Sequence, residues 1–220
     1  MKMLKIRYLD ETIPIGKILC LGRNYPEHAK EMNAAVPETP IIFIKPSTAV
    51  IHDGEPILFP RISHEMHHEV ELVVAIGKDA KNVSQEEADD HILGYGVGLD
   101  MTLRDIQNDA KKKGLPWSIA KGFDTSAPIS DIIPKGTIGD HSRLRLRCAV
   151  NGIVRQDASV SEMIFSPPEI IAYASSVFTL EKGDLIFTGT PQGVGSVAPG
   201  DTIDAELVGH LKISHRVIAA

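Results

Sequence analysis

Cysteine is scarce in this chain: two residues, Cys20 and Cys148, among 220. They stand far apart and form no C-x-x-C pair, which excludes a disulfide framework and makes a reducing, cytoplasmic setting the simplest expectation. Long apolar runs are missing as well. No stretch approaches the roughly 18 apolar residues that a membrane helix requires. The N-terminal Met1-Lys2-Met3-Leu4-Lys5 has charges with no apolar region behind them, so no signal peptide is expected either. Positive charge is in deficit, 23 Lys and Arg against 29 Asp and Glu, for a formal net charge of −6. Bulk charge therefore offers no case for nucleic acid. A small anionic substrate would need a local cation, whether a metal, an arginine or a lysine.

Three familiar signatures are also absent. Gly94-Tyr95-Gly96-Val97-Gly98 departs from the G-x-G-x-x-G dinucleotide fingerprint, and no helix is expected straight after it. Gly189–Gly195 is rich in glycine but lacks the Lys-Ser/Thr end of a P-loop. No G-x-S-x-G elbow marks a serine hydrolase.

What is present is punctuation, with 14 prolines and 18 glycines between short β-branched runs. Strands are predicted at Lys17–Leu21, Ile41–Ile44, Val70–Ile76, Arg143–Val150, Asp184–Thr188 and Thr202–Leu207. Arg143–Arg147 alternates strictly and reads as a strand with one wet face. Helices are fewer: Ser84–Ile92 behind a Ser84 cap, Thr102–Lys113 ending at Gly114, and Pro168–Phe178. Lys111-Lys112-Lys113 reads as a solvated helix end favourable to the dipole, and lone Trp117 and Phe123 read as packing residues. The expectation is one domain over 1–220, mostly β with a few helices, its first 16 residues a short lead-in.

Two constellations carry chemistry. Glu69 and Glu71 flank Val70 at the head of an apolar strand, so they face the same way, about 7 Å apart along the chain. Asp100 ends the run Ile92–Leu99, whose Gly94, Gly96 and Gly98 permit close backbone approach. Three clustered carboxylates repel one another, and a divalent cation removes that problem. Oxygen ligands suit Mg²⁺, Mn²⁺ or Ca²⁺. A solvated sheet face is the plainer reading of E-x-E alone, and His67 on the same face keeps zinc as an alternative. The second constellation is a short helix within Asn24–Asn33, with Asn24 as cap, Glu27 as a capping-box acid and Pro26 in the first turn. His28 and Glu31, three apart, share a face, where a carboxylate can orient an imidazole as general base. From spacing alone a solvated helix face is the plainer reading. A helix this short, bounded by Pro26 and Pro37, is expected to act as a lid that orders with substrate.

Taken together, the motifs make the sequence resemble the fumarylacetoacetate hydrolase family, from about Lys17 to the C-terminus. They stand as Gly22-Arg23-Asn24-Tyr25, Phe43-Ile44-Lys45-Pro46, His68-Glu69-Val70-Glu71, Leu99-Asp100-Met101-Thr102, Arg104-Asp105-Ile106-Gln107, Lys121-Gly122-Phe123-Asp124 and Thr188-Gly189-Thr190-Pro191. The likeness is greatest to small members, acylpyruvate hydrolases that also act on oxaloacetate. It implies an α+β, mostly β fold, a mixed β-sandwich roll, usually as a homodimer. It implies Mg²⁺ or Mn²⁺ on Glu69, Glu71 and Asp100, a catalytic His28–Glu31 dyad on a lid, and Lys121 beside the metal. Arg23, Tyr25, Lys45, Gln107 and Thr190 match substrate-binding positions.

The resemblance implies a small 2-oxo acid substrate, cleaved at its C3–C4 bond to a metal-stabilised pyruvate enolate, with His28 activating water. The same enolate arises when oxaloacetate loses CO₂. Enolisation without cleavage gives tautomerase or isomerase chemistry, as on 2-hydroxyhepta-2,4-diene-1,7-dioate. From another class, a non-catalytic metal-binding module remains open, although a structural metal needs neither His28, Glu31 nor Lys121.

Overall fold

The computed structural model describes residues 2–220. At its centre lies Val70–Ile76, buried at every position. It sits mid-way in a sheet ordered Ile41–Lys45, Ile18–Gly22, Leu185–Phe187, Val70–Ile76, Ile92–Leu99, Ala127–Ile129 and Val50–His52, with Ile133–Pro134 also pairing on Ile92–Leu99. A strand covered on both faces needs apolar residues at both parities. Here Leu72, Val74 and Ile76 enter one core, and Val73 and Ala75 enter the other. The first core is closed by a second sheet, ordered Ile153–Ser159, Arg145–Val150, Thr202–Leu207, Leu211–Ala219 and Ile57–Phe59. Leu146, Cys148, Ile203 and Ala205 supply its inner face. The second core takes Leu4, Ile6 and Ile13 from an N-terminal hairpin, Met3–Ile6 with Glu11–Pro14. Leu4, Ile6, Ile13 and Ile15 thereby cover one face of the central sheet.

Most expected elements form within two residues of their anticipated ends, and Val70–Ile76 and Thr202–Leu207 form as written. The wet face of Arg145–Val150 is present, with Arg145 and Arg147 turned toward Asp157. Ser84 caps its helix through a reciprocal box with Glu87, yet the α-helix stops at Ala88 and a 3₁₀ turn, Asp89–His91, replaces the remainder. The helix Arg104–Lys113 starts two residues late, because Thr102–Leu103 is drawn into a strand pair with Met66–His68. It ends, as expected, at Gly114 in a left-handed conformation.

Candidate active site

Besides a register shift at Ala75/Ile76, the antiparallel ladder between 66–76 and 92–103 is interrupted around Glu69. Val70 pairs with Leu99 and His67 with Thr102; between these pairs the strands part, held by a bond from Asp100 N–H to Glu69 O of 2.8 Å. Glu69 and Asp100 sit at that break, and Glu71 lies two residues inside it on the same face. Gly98, opposite Glu71, lets Phe187 and Val73 pack close beside this face: a Cβ there would stand 2.7 Å from Phe187 and 2.8 Å from Val73. Carboxylate oxygens of Glu69, Glu71 and Asp100 consequently lie within 4.8 Å of one another, all buried. The solvated sheet face is excluded.

Three carboxylates this deep demand compensation. Lys121 Nζ donates to Glu69 Oε2 at 2.8 Å and also to Asp100 Oδ2, and Arg104 Nη2 donates to Glu69 Oε1. Burial alone would raise the Glu69 pKa, but Lys121 and Arg104 outweigh it and hold the carboxyl well below its usual range. Lys121 is likewise disfavoured as a cation by burial, and Asp100 and Glu69 more than restore it. Glu71 has less help. It accepts one bond, from Gly189 N–H at 2.7 Å, and burial with the charges of Asp100 and Glu69 pushes its pKa well up.

The donor set fits a hard divalent cation. Glu71 Oε1 and Asp100 Oδ1 are buried with no hydrogen-bond partner among the described residues. Lys45 Nζ stands 2.8 Å from that Asp100 oxygen, but it directs hydrogen bonds to three carbonyls, of Met101, Lys121 and Ser126. Two triad carboxylates thus keep lone pairs that no protein donor uses. The zinc alternative does not survive, since His67 is engaged elsewhere: its Nε2 lies 3.0 Å from Glu65 and its Nδ1 accepts from Arg104 Nε at 3.4 Å.

A cavity of about 220 Å³ opens in front of Glu69, Arg104, Gln107 and Lys121. Its other walls are Arg23, His28, Phe43, Lys111, Trp117 and Thr190. His28 is 5% exposed and stands on the helix Pro26–Glu31, where its Nδ1 lies 3.2 Å from Glu31 Oε2. That contact fixes the tautomer with Nδ1–H donating, leaving Nε2 as the base. Burial lowers the His28 pKa, and the charges of Glu69 and Glu31 offset this only in part. The imidazole is therefore neutral near pH 7.

One loop ties both constellations together. Gly189 N–H holds Glu71, and four residues on Gly193 N–H reaches both Glu31 oxygens, at 3.1 and 3.2 Å. Gly189 has φ +94°, and a Cβ there would meet Asn24 Cβ at 2.6 Å, so no other residue fits. The glycine-rich loop is thus a support for carboxylates.

Several expectations need correction. Asn24 does not cap the helix; Tyr25 is the cap residue and makes no side-chain bond there. The Asn24 amide instead bridges distant segments, donating to Phe165 O and Thr188 O and accepting from Phe165 N–H. Lys45 and Tyr25 are not on the cavity wall. Lys45 is fully buried behind Asp100, and the Tyr25 hydroxyl is buried without a partner, its pKa pushed up by burial and by Glu71. Trp117 and Lys111 line the cavity, against the packing and solvated-end readings, whereas Phe123 packs on the core. Two residues went unassigned by the sequence. Arg104, in a quoted motif, binds Glu69 and Gln107. Gln156, for which no signal existed, uses both ends of its amide: it receives Val70 N–H and holds Thr190 and Pro191.

Comparisons with known proteins agree with this geometry. The model of the fumarylacetoacetate (FAA) hydrolase C-terminal family matches residues 17–218. The chain is similar to human mitochondrial oxaloacetate tautomerase FAHD1, 48% identical over 200 residues, covering 91% of this chain and 90% of that protein. Its fold is similar to that of fumarylpyruvate hydrolase from Pseudomonas aeruginosa, solved with Mn²⁺ and pyruvate, at a TM-score of 0.95 and 39% identity, covering 100% of this chain and 96% of that one. It is also similar to 5-carboxymethyl-2-hydroxymuconate delta-isomerase from Mycobacterium smegmatis, with TM-score 0.84 and 37% identity over 94% and 78% of the two chains.

Proposed function

Because this chain belongs to the fumarylacetoacetate hydrolase family, we propose that it hydrolyses the C3–C4 bond of acylpyruvates, releasing pyruvate and a carboxylic acid. The observation that carries this is that one cavity is lined both by Glu69 of the Glu69–Glu71–Asp100 cluster and by His28, which Glu31 holds. Glu69, Glu71 and Asp100 hold Mg²⁺ or Mn²⁺, whose charge, when bound, favours the enolate left by bond cleavage. His28 Nε2 takes a proton from the water that attacks the C4 carbonyl, and Glu31 stabilises the resulting imidazolium. Lys121 holds positive charge beside the developing enolate oxygen and returns a proton to carbon or oxygen. Arg23, Gln107 and Thr190 orient the substrate from the cavity walls. Tyr25 and Lys45 act from behind, Lys45 by anchoring Asp100 and the 121–126 backbone.

Loss of CO₂ from oxaloacetate leaves the same enolate, so decarboxylation needs the cation and a proton donor such as Lys121 but no activated water, while tautomerisation needs a base for the C3 proton, a task His28 can perform. A second reading, oxaloacetate tautomerisation or decarboxylation, follows from that difference and from the name of the human relative. The whole chain acts as one catalytic domain, as a homodimer. Two buried, unpaired thiols suit a reducing compartment such as the cytoplasm, and among the described residues no helix is long and apolar enough to cross a membrane. The test is pyruvate release from acetylpyruvate and fumarylpyruvate, alongside oxaloacetate, with Mg²⁺ or Mn²⁺. Pyruvate from either acylpyruvate supports hydrolysis; turnover of oxaloacetate alone replaces it with the second reading. Turnover of none would leave a metal-binding module.

A further inference from the structure

Gln156 lies on the strand Ile153–Ser159, its side chain turned inward and only 1% exposed. A buried amide is costly unless its donors and acceptors are used, and here all four positions are taken. Oε1 accepts from Val70 N–H at 3.0 Å and lies 3.1 Å from His68 Nδ1. Nε2 donates to Thr190 Oγ1 at 2.8 Å and to Pro191 O at 2.9 Å. The two ends fix the amide independently, because a backbone N–H only donates and a carbonyl only accepts. One end therefore holds Val70, the residue between Glu69 and Glu71. The other holds the loop whose Gly189 and Gly193 bind Glu71 and Glu31. Gly193 packs directly on this strand: a Cβ there would stand 2.1 Å from Arg155 O.

That orientation decides the polarity of Thr190. A hydroxyl has one proton and two lone pairs. Gln156 Nε2 occupies a lone pair of Oγ1, and no acceptor among the described residues takes the proton. Thr190 is 2% exposed and lines the cavity with Glu69 and Lys121, so its O–H bond is left to the cavity. Without the amide the hydroxyl would be free to rotate and to present a lone pair to an anion. We propose that Gln156 is a positioning residue that sets the Thr190 hydroxyl as a donor toward the bound acid without touching the acid itself. The proposal rests on the reading that the acid binds at the triad cation, within reach of Thr190. The chain from Gln156 N–H through Thr190 O–H to an acid oxygen also polarises each link. An apolar residue at 156 would fill the same volume and lose the direction.

The test is a double-mutant cycle on calorimetric binding of oxalate, a stand-in for the pyruvate enolate, to the Mn²⁺-loaded protein. Thr190→Val, nearly isosteric, should weaken oxalate about tenfold, the loss of one hydrogen bond to an anion. Gln156→Met should weaken it about three- to tenfold. In the Thr190→Val background, Gln156→Met should add less than about twofold, because the group it directs is gone. Mn²⁺ affinity should hold in all three variants. Equal penalties for Gln156→Met in both backgrounds would mean that the amide only braces the loop, and would overturn the proposal. So would oxalate binding undiminished in Gln156→Met, or a loss carried by Mn²⁺ affinity instead. If Gln156→Met does not fold, Gln156→Asn, whose shorter amide loses one of its two ends, takes its place in the cycle with the same expectations. Failure of the wild type to bind oxalate would overturn the anchoring reading together with the proposal.

Discussion

The triad and the dyad each send a residue, Glu69 and His28, to one cavity but are built by different means. Glu69, Glu71 and Asp100 stand on two buried strands at a break in their ladder, backed by cores on both faces of the sheet. His28 and Glu31 stand on six residues of helix, too short to persist alone. That helix is held by the Asn24 amide, by Asn24 O accepting from Ile164 N–H, and by Gly193 on Glu31. Rigid placement serves ions, whose ligands must converge at fixed distances. A small tethered element serves water activation, which has to admit substrate and then exclude solvent. The difference makes cation binding and water activation separable.

Breaking the rigid half should cost most. Glu71→Ala removes a ligand from the centre of the triad, so both hydrolysis and oxaloacetate turnover should fall on the order of 10³-fold. Steady-state pyruvate release and enol absorbance on the same preparation check this. Loss of hydrolysis alone would contradict it.

Breaking the tethered half should separate the activities. His28→Ala should reduce acylpyruvate hydrolysis about 10²-fold and spare most oxaloacetate decarboxylation. Its pH dependence has a definite sign. Burial depresses the His28 pKa, so the neutral base is present at pH 7 and is lost only as pH falls below the ordinary histidine range. Wild-type kcat should therefore drop on an acid limb below that range. Glu31→Gln removes a charge that favours the imidazolium and should move the limb to still lower pH while reducing kcat. A limb that moves upward would show that Glu31 does not act on His28 in this way.

The smallest effect should come from the tether. Asn24→Ala deletes three side-chain hydrogen bonds, a loss of about 2–3 kcal/mol in urea unfolding. Hydrogen exchange of residues 26–33 should quicken, Mn²⁺ affinity should hold, and kcat should fall several-fold. In wild type, bound oxaloacetate should slow exchange in the same segment. Equal protection with and without it would mean that the helix is no lid.

What could be read from sequence follows the range of the forces involved. Val70–Ile76 and Thr202–Leu207 were legible because apolar period and turn residues are local. The triad and dyad were legible as spacings, and the ordered motifs supplied their company. Residues acting across the chain were not legible. Asn24 was assigned the local task of a cap, yet its partners lie 141 and 164 residues away. Gln156 is one polar residue in a strand, and nothing in its neighbourhood marks the loop it holds. Lys45 looked like a substrate contact, but the position of a cation in front of a carboxylate or behind it is decided by packing. Lys111 was read with Lys112 and Lys113 as one solvated end, and only helix phase separates it from them. The N-terminal hairpin is not legible because four-residue strands carry little periodic signal.

The central claim is that the three carboxylates hold one divalent cation per chain. Mn²⁺ titration of the metal-free protein, followed by electron paramagnetic resonance of the free ion, tests it most directly against Glu71→Gln and Asp100→Asn. The account predicts one tight site in wild type that either substitution abolishes or weakens severely. An undiminished site in both variants would place the metal elsewhere and contradict it.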